Sequence, residues 1–251
     1  MTGQIDTIAW AQWLRRWDAQ QTGYIPDREE AFALMLDVLG RLDAAPGRLL
    51  DLACGPGSLA DRALRRFPDA VVFGLDIDPV MLELGRRTLG DRVRWVEADL
   101  RSPDWAGKLV GAEFDAIVSA TALHWLDSEH VPHVAQGLAE LLRPGGVFLN
   151  LDSLLTDPGA PRLAELTREL SREAGPATGA AFEDFYAWWE ALAAEPALAA
   201  LFTERDRRFG PRRHGTGTAI TEWEQALRAA GFAEVAPLTQ ALNHRLLAAI
   251  R

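Results

Sequence analysis

Short apolar runs and amphipathic stretches alternate through the middle of the chain. The runs are long enough for buried strands and lie at residues 48–53, 71–75, 93–96, 114–119 and 146–151. Between them, apolar residues spaced three and four apart predict helices at 58–66, 79–89 and 130–142, with a shorter element at 104–109. Such alternation is typical of a parallel sheet with helices on both faces. Because the connections between parallel strands are right-handed, we expect every strand to end at one edge, where open α/β sheets bind ligands.

Two amphipathic helices are predicted before this alternation, at Ile5–Gln21 and Arg28–Leu42. Three tryptophans lie near one face of the first helix, namely Trp10, Trp13 and Trp17. Aromatic residues at helical spacing are typical of core packing. The alternative is that this N-terminal arm, residues 1–46, folds over the ligand edge of the sheet. It would then turn Tyr24, in the intervening loop, toward the reacting centre.

The alternation stops after the fifth strand, and residues 153–217 are predicted to be helical. The expected helices are Pro161–Ala174, Phe182–Ala193 and Pro196–Arg208. Since the insertion lies at the ligand edge of the sheet, we interpret it as a lid. Its aromatic residues either pack on the sheet or cover an apolar ligand, and they are Phe182, Phe185, Tyr186, Trp188 and Trp189. Its arginines, between Arg205 and Arg213, form either a solvated face or a flexible flap that recognises an acidic group.

The last segment, residues 218–251, returns to the sheet. The stretch Thr221–Glu224 fits a capping box at the start of a helix that Gly231 ends. Strands are predicted after it at residues 233–238 and 243–250. With the core, residues 47–152, they complete a seven-stranded α/β sheet.

The composition limits the classes of protein to which the chain can belong. With 251 residues, 48% of them hydrophobic, it can bury a core as one large domain with a modest insertion. A formal net charge of −10 disfavours a nucleic-acid partner, because the surface repels phosphates. The single cysteine, Cys54, excludes an internal disulfide. No run of about 18 apolar residues indicates a membrane span, and residues 1–9 lack a signal-peptide pattern, so we expect a cytoplasmic monomer or homodimer.

The sequence LLDLACGPGSLA at residues 49–60 carries the strongest chemical pattern. An apolar strand ends in a glycine turn and a helix opens directly after it, which is typical of a cofactor-binding loop. GPGSLA satisfies the dinucleotide pattern G-x-G-x-x-G/A, with Asp76 about twenty residues further on. Asp51, however, would face a charged pyrophosphate, and two like charges at about 4 Å repel by roughly 4 kcal/mol at an effective dielectric constant of about 20. An acid at this position favours a cationic ligand.

S-adenosylmethionine is a cofactor with such a cation. Its methionine end, with an amino group and a sulfonium, fits Asp51 and the loop backbone at Ala53, Gly55 and Gly57. We expect these four residues to hold that end of the cofactor.

Further acids follow the second and third strands. Asp76 fits the two ribose hydroxyls, and Asp99 fits the adenine amino group. Ile77 and Leu100 would flank the adenine ring. Asp78, directly before a proline, is instead predicted to cap the next helix.

Five segments between Leu49 and Asp152 occur in the order of a known family. They are D-x-A-C-G-P-G from Asp51, GLDIDP from Gly74, EADL from Glu97, FDAIVS from Phe114 and LLRPGGV from Leu141. On these segments the chain resembles the class I S-adenosylmethionine-dependent methyltransferases. The resemblance implies a Rossmann-like, mostly parallel sheet with an antiparallel last strand, a cofactor lined by Ser119 and Ala120, and transfer of a methyl group to a small molecule. It does not identify the acceptor.

Methyl transfer from a sulfonium is an in-line displacement that needs a base only when the accepting oxygen, nitrogen or carbon must lose a proton. His124, in the segment ALHWLD after the fourth strand, is the candidate base because its pKa suits proton removal near neutrality. The alternative is a histidine that packs or hydrogen-bonds within this loop. The expected acceptor contacts are Tyr24, His124, Tyr186 and Trp189. His130 and His133 lie three residues apart, but no further ligands complete a metal site, so we expect none.

Two other functions stay open at this point. The chain could bind S-adenosylmethionine without transferring its methyl group and act as a partner protein. It could also be an NAD(P)-dependent oxidoreductase, which the charge of Asp51 disfavours.

Overall fold

The computed structural model describes residues 8–24, 27–42, 46–174, 183–210 and 217–251. Its strands are β1 (Arg48–Leu52), β2 (Val71–Asp76), β3 (Val93–Glu97), β4 (Phe114–Ala120), β5 (Leu142–Ser153), β6 (Glu234–Ala241) and β7 (His244–Ile250). They form one sheet in the order β3-β2-β1-β4-β5-β7-β6. Only β7 runs antiparallel to its neighbours β5 and β6 among these strands. The predicted Rossmann-like sheet with an antiparallel last strand is therefore confirmed.

Nine α-helices lie in the described residues. They are α1 (Trp10–Tyr24), α2 (Arg28–Arg41), α3 (Ser58–Arg66), α4 (Pro79–Leu89), α5 (Val131–Leu141), α6 (Pro161–Ala174), α7 (Phe185–Ala193), α8 (Ala199–Phe209) and α9 (Ile220–Ala229). Short 3-10 turns occur at Gly90–Arg92, Trp105–Leu109, Leu123–Trp125, Ser128–His130 and Pro196–Leu198. The bounds of α3, α4 and α6 coincide with those predicted from the apolar spacing.

Several predicted boundaries were wrong. Strand β5 begins at Leu142 rather than at residue 146, because Leu142 already pairs with Phe114 before an irregularity in the register. Helix α9 begins at Ile220, and Ala219 rather than Thr221 precedes it. The N–H of Ala219 donates to Oε2 of Glu222 at 2.6 Å, so the side chain that closes this first turn comes from Glu222. The predicted start of the second lid helix, Phe182, lies outside the described residues.

Buried apolar residues alternate between the two faces of the sheet. Leu49 and Val118 pack under α2 and α3, whereas Leu50 and Ile117 pack under α5 and α9. Asp51 follows Leu50 on β1, and its side chain therefore lies on the α2 and α3 face. This alternation determines which helices surround the candidate site.

A third apolar cluster joins the N-terminal arm to the lid. Trp13 and Trp17 on α1 contact Trp188 on α7, with ring centroids 5.8 and 5.0 Å apart. Trp10 and Trp13 are both buried. The prediction that the arm's tryptophans are core residues is confirmed, and their partners are lid residues together with α4.

Candidate active site

The loop after β1 contains residues with left-handed backbone. Ala53 has φ of 53°, Gly55 of 55° and Gly57 of 83°. A Cβ added to Gly55 would meet no atom within 4 Å, whereas one added to Gly57 would lie 2.7 Å from the Trp95 ring. Gly55 therefore leaves space for a ligand, while Gly57 leaves space for Trp95 of β3. Ala53 adopts a conformation that costs energy in a residue with a side chain, as residues at binding sites often do.

Asp51 is almost completely buried, with 2% of its surface exposed. Its Oδ2 accepts a hydrogen bond of 2.9 Å from the N–H of Ala60 in the first turn of α3. Burial raises the pKa of Asp51 to about 8; the Ala60 hydrogen bond opposes this, the charge of Asp76 adds to it, and Arg28 opposes it. In the protein without ligand, the protonated form of this carboxyl group therefore predominates at pH 7.

Asp76 connects the glycine loop to the turn after β2. Its Oδ2 accepts from the N–H of Gly55 at 2.7 Å, and its Oδ1 accepts from the N–H of Asp78 at 2.8 Å. Burial raises the pKa of Asp76 to about 6, against the opposing effect of these hydrogen bonds. A carboxylate offers about four acceptor positions, so both oxygens can accept further hydrogen bonds from a ligand.

Asp78 caps α4 as predicted, because its Oδ1 accepts from the N–H groups of Val80 and Met81. Its Oδ2 also accepts a hydrogen bond of 2.5 Å from Nε of Arg205 on α8. The guanidinium of Arg205 stacks on Trp189, with 3.7 Å from Cζ to the ring centroid. This buried ion pair fixes α8 against the strand ends.

A second lid arginine contacts the adenine side of the expected site. Arg208 on α8 donates to the carbonyl of Ile77 at 2.9 Å and pairs with Glu97 at 2.9 Å. The interpretation of the arginines as a solvated face is wrong for Arg205, which is 7% exposed. The remainder of the arginine segment, residues 211–216, lies outside the described residues.

Asp99, expected at the adenine amino group, forms an ion pair within its own loop. Its Oδ2 lies 2.9 Å from Nη2 of Arg101, and the same Nη2 donates to the carbonyl of Arg208. Ile77 is half-buried beneath α8, whereas the side chain of Leu100 belongs to the core under α5. The adenine contacts of Asp99, Ile77 and Leu100 stay predictions.

The end of β4 lies beside β1. Ser119 is fully buried, and its hydroxyl donates to the carbonyl of Leu52 at 2.8 Å. Ala120 is half-buried, and Thr121 after it has φ of 54°. Ser119 thus connects the two strand ends, and the cofactor contacts of Ser119 and Ala120 stay predictions.

His124 contacts Asp152, which the sequence analysis did not assign to the site. Nδ1 of His124 lies 2.7 Å from Oδ1 of Asp152, and the backbone N–H of His124 donates to Oδ2 at 3.0 Å. Burial lowers the pKa of His124, but the charge and hydrogen bond of Asp152 outweigh it, and the net pKa is raised. Asp152 follows the rule that identified Asp51 and Asp76, because it lies near the end of a parallel strand.

Arg28 is a second residue that the sequence analysis did not assign to the site. It is 4% exposed, and its Nη1 donates to Oδ1 of Asp18 at 3.1 Å, while Ser58 at the start of α3 donates to the same oxygen at 2.7 Å. Nε of Arg28 and both amide atoms of Gln20 are buried without a hydrogen-bond partner in the described part of the chain. Because the charge of Arg28 lowers the pKa of Asp51, the arm brings an unpaired donor near this carboxyl group.

The expected acceptor contacts lie in different surroundings. Tyr186 is 54% exposed, and Trp189 is 8% exposed inside the aromatic cluster of α1 and α7. The side chain of Tyr24 lies outside the described residues.

Nε2 of His133 lies 2.8 Å from the carbonyl oxygen of Leu100. In the described residues no three His, Cys, Asp or Glu side chains group as metal ligands, and no helix is long and apolar enough to cross a membrane.

These features fit S-adenosylmethionine. Two carboxyl groups with raised pKa values lie at the ends of the adjacent strands β1 and β2, and open space lies beside Gly55. A cationic amino group would replace the proton on Asp51, and a diol would donate to Asp76.

Comparison with known proteins gives sequence matches over the core. Residues 49–146 match the family described as methyltransferase domain. The trans-aconitate 2-methyltransferase of Azoarcus sp. (strain BH72) is 38% identical over 138 residues, which cover 53% of this chain and 49% of that protein. The malonyl-[acyl-carrier protein] O-methyltransferase of Legionella pneumophila is 34% identical over 103 residues, which cover 40% and 35%. The chain matches about half or less of the length of these curated relatives.

Solved structures share the fold over nearly the whole chain. CalS10, an amino pentose methyltransferase from Micromonospora echinaspora, has a TM-score of 0.61 at 20% identity, covering 94% of this chain and 96% of its own. DesVI of Streptomyces venezuelae has a TM-score of 0.60 at 19% identity, covering 94% and 97%.

Proposed function

We propose that the chain is a class I S-adenosylmethionine-dependent methyltransferase, in line with the match of its core to a methyltransferase domain, and that it transfers the cofactor's methyl group to a small-molecule acceptor. The observation that carries the proposal is the buried carboxyl group of Asp51, which has a raised pKa and lies at the edge of the sheet beside an open glycine loop. Such a group stabilises a bound cation because binding compensates the cost of desolvating the carboxylate.

On this proposal the methionine end of the cofactor would lie between β1 and the N-terminal arm. Asp51 would accept from the amino group, and Nε of Arg28 would donate to the carboxylate. Arg28 is suited to this role because its Nε is buried and unpaired among the described residues, while its Nη1 is fixed by Asp18. The cationic amino group of the methionine end would thus meet the carboxylate of Asp51, and its anionic carboxylate would meet the guanidinium of Arg28.

The ribose and the acceptor side would be enclosed by β2 and the lid. Asp76 is oriented by the N–H groups of Gly55 and Asp78, so its remaining acceptor positions suit the ribose hydroxyls. Arg205 and Arg208 hold α8 over the same edge. When bound, the cofactor supplies an electrophilic methyl group on a sulfonium; the chain contributes alignment and exclusion of water.

Calorimetry of S-adenosylmethionine binding tests the proposal. Asp51→Asn keeps the acceptor for Ala60 but loses the charge, and we expect an affinity about 30-fold lower, corresponding to about 2 kcal/mol for a charged hydrogen bond. Arg28→Met should weaken binding about tenfold, or about 1.4 kcal/mol.

Matched controls are Asp115→Asn, at the start of β4, and Arg62→Met, which also contacts Asp18. Unchanged affinity in Asp51→Asn would contradict the assignment of the site. A thermal shift with NADH in place of S-adenosylmethionine would favour the oxidoreductase alternative.

Methyl transfer is then scored with isotopically labelled cofactor on a panel of acceptors. The panel contains hydroxyls (catechol and 4-methylphenol), an amine (tyramine methyl ether) and carboxylates (malonate and trans-aconitate, the latter named for the relatives). Tight binding without any product would favour the partner-protein alternative.

A further inference from the structure

The segment between β4 and α5 holds His124 rigidly at the edge of the sheet. Leu123 and Leu126, which flank His124 and Trp125, are both buried. Thr121, at the start of the segment, has a left-handed backbone conformation. The His124 ring remains 30% exposed. A loop anchored at both ends therefore presents one titratable ring toward the ligand edge.

Asp152 fixes both the position and the tautomer of this ring. Its side chain is fully buried, and its two oxygens accept from the ring and the backbone N–H of His124, with a further 2.8 Å hydrogen bond from the N–H of Ser153. Because a carboxylate accepts and does not donate, Nδ1 of His124 carries the proton and Nε2 has the lone pair. Among the described residues no group hydrogen-bonds to Nε2.

We propose that Asp152 positions His124 so that Nε2 removes the proton from a hydroxyl group on an aromatic ring, which makes the methyl acceptor a member of the phenol class. This inference rests on the proposed function. In the step, the hydroxyl oxygen forms a bond to the methyl carbon while the O–H proton passes to Nε2. The carbon–sulfur bond breaks, and its electron pair remains on sulfur, leaving a neutral thioether and an imidazolium paired with Asp152.

Phenols differ chemically from carboxylic acids and from amines as methyl acceptors. A carboxylic acid has a pKa of about 4 and is ionised at neutral pH, so its methylation needs no base. A phenol has a pKa of about 10 and is a weak nucleophile until it loses its proton. An ammonium group would approach the sulfonium with like charge, whereas a developing phenolate is attracted to it.

The groups around His124 support a neutral, aromatic acceptor. Among the described residues the titratable groups that act on it are Asp152 on β5 and His244 on β7, and burial lowers the pKa of His244, which disfavours a second positive charge there. The Trp125 ring lies 5.1 Å from the His124 ring and is 51% exposed. An exposed indole beside the base provides a flat apolar surface on which an aromatic acceptor can stack.

The first experiment follows the histidine ring protons by NMR as a function of pH, with S-adenosylhomocysteine bound. The His124 resonance is assigned with His124→Gln. In Asp152→Asn we expect the His124 pKa to fall below its value in the unmodified protein, while Asp157→Asn, which changes an exposed acid in the following loop, leaves it unchanged. An unchanged His124 pKa in Asp152→Asn would contradict the positioning role.

The second experiment measures methyl transfer on the acceptor panel. We expect a phenol to be methylated, with kcat rising as pH increases through the His124 pKa, since the base must be uncharged. His124→Gln and Asp152→Asn should each lower kcat about 100-fold, as general-base catalysis contributes at least that much, with KM for S-adenosylmethionine unchanged. Asp152→Glu should recover part of the rate.

The outcomes separate the inference from the proposed function. Transfer only to a carboxylate or only to the amine, or transfer to a phenol at an equal rate in His124→Gln, overturns the phenol assignment while the methyltransferase proposal stands. The phenol assignment is also overturned if no phenol in the panel is methylated in a reaction that depends on His124. Loss of cofactor binding in the unmodified protein would instead overturn the proposed function.

Discussion

Asp51 and Asp152 lie near the carboxyl ends of two parallel strands of the same sheet, and each is 2% exposed. Asp51 accepts one backbone hydrogen bond, from Ala60, and burial raises its pKa to about 8. Asp152 accepts three hydrogen bonds, two from His124 and one from Ser153. Two acids with equal burial therefore differ in how far the protein itself satisfies them.

We propose that this difference reflects two different roles. A buried carboxylate with few partners is costly until a ligand supplies a cation, so Asp51 is suited to binding. A carboxylate with its acceptor positions filled by the chain has little left for a ligand and instead orients the group that it holds. The number of internal donors, rather than burial alone, separates a binding acid from a positioning acid.

The largest contrast is expected in the stability of the protein without ligand. Asp152→Asn removes a charged acceptor from His124 and should lower the free energy of unfolding by about 2 kcal/mol, or Tm by about 4–8 °C, at pH 7. Differential scanning calorimetry measures this. A Tm equal to that of the unmodified protein would show that the buried hydrogen bonds of Asp152 contribute nothing.

A pH-dependent effect of opposite sign is expected for Asp51→Asn. Because the pKa of Asp51 is higher in the folded than in the unfolded protein, its stabilising contribution is complete below pH of about 4 and is lost as pH rises through about 8. Asparagine imitates the protonated acid at every pH. The variant should match the unmodified protein at pH of about 4 and exceed its Tm by at least about 2 °C at pH of about 9.

The same thermal scans provide the control for this prediction. Asp115 has a lowered pKa because, although burial opposes it, Arg143 and the N–H of Arg48 stabilise its charge. Asp115→Asn should therefore lose stability at high pH, where Asp51→Asn gains it. If the change in Tm relative to the unmodified protein varied with pH in the same way in both variants, the raised pKa inferred for Asp51 would be contradicted.

Much of the sheet and the geometry of the glycine loop at its edge could be predicted from the sequence because both depend on local patterns. Apolar runs located the strands, and acids after strands identified Asp51 and Asp76. The same rule also fits Asp152, which was not identified from the sequence. Helix α5 and most of strand β5 separate it from His124 in the chain, so the pairing of the two residues depends on the fold. Local patterns also predicted Asp78 as a helix cap.

The remaining features depend on contacts between segments far apart in the chain. Nothing near Gly57 in sequence indicates that its missing side chain accommodates Trp95. The arginines of the lid looked solvated because charge runs usually are, yet Arg205 pairs with Asp78 across 127 positions. Arg28 belonged to an amphipathic helix by its spacing, and only the packing of the arm brings it close to Asp51.

Proton release on binding tests the central claim most directly, which is that Asp51 stays protonated until a cation replaces its proton. Calorimetric titration with S-adenosylmethionine at pH 7 is repeated in buffers of different ionisation enthalpy, for the unmodified protein and for Asp51→Asn. The difference between the two proteins cancels any proton exchanged by the ligand's own amino group. We predict that the unmodified protein releases close to one proton more than the variant. Equal proton release from both proteins would contradict the account.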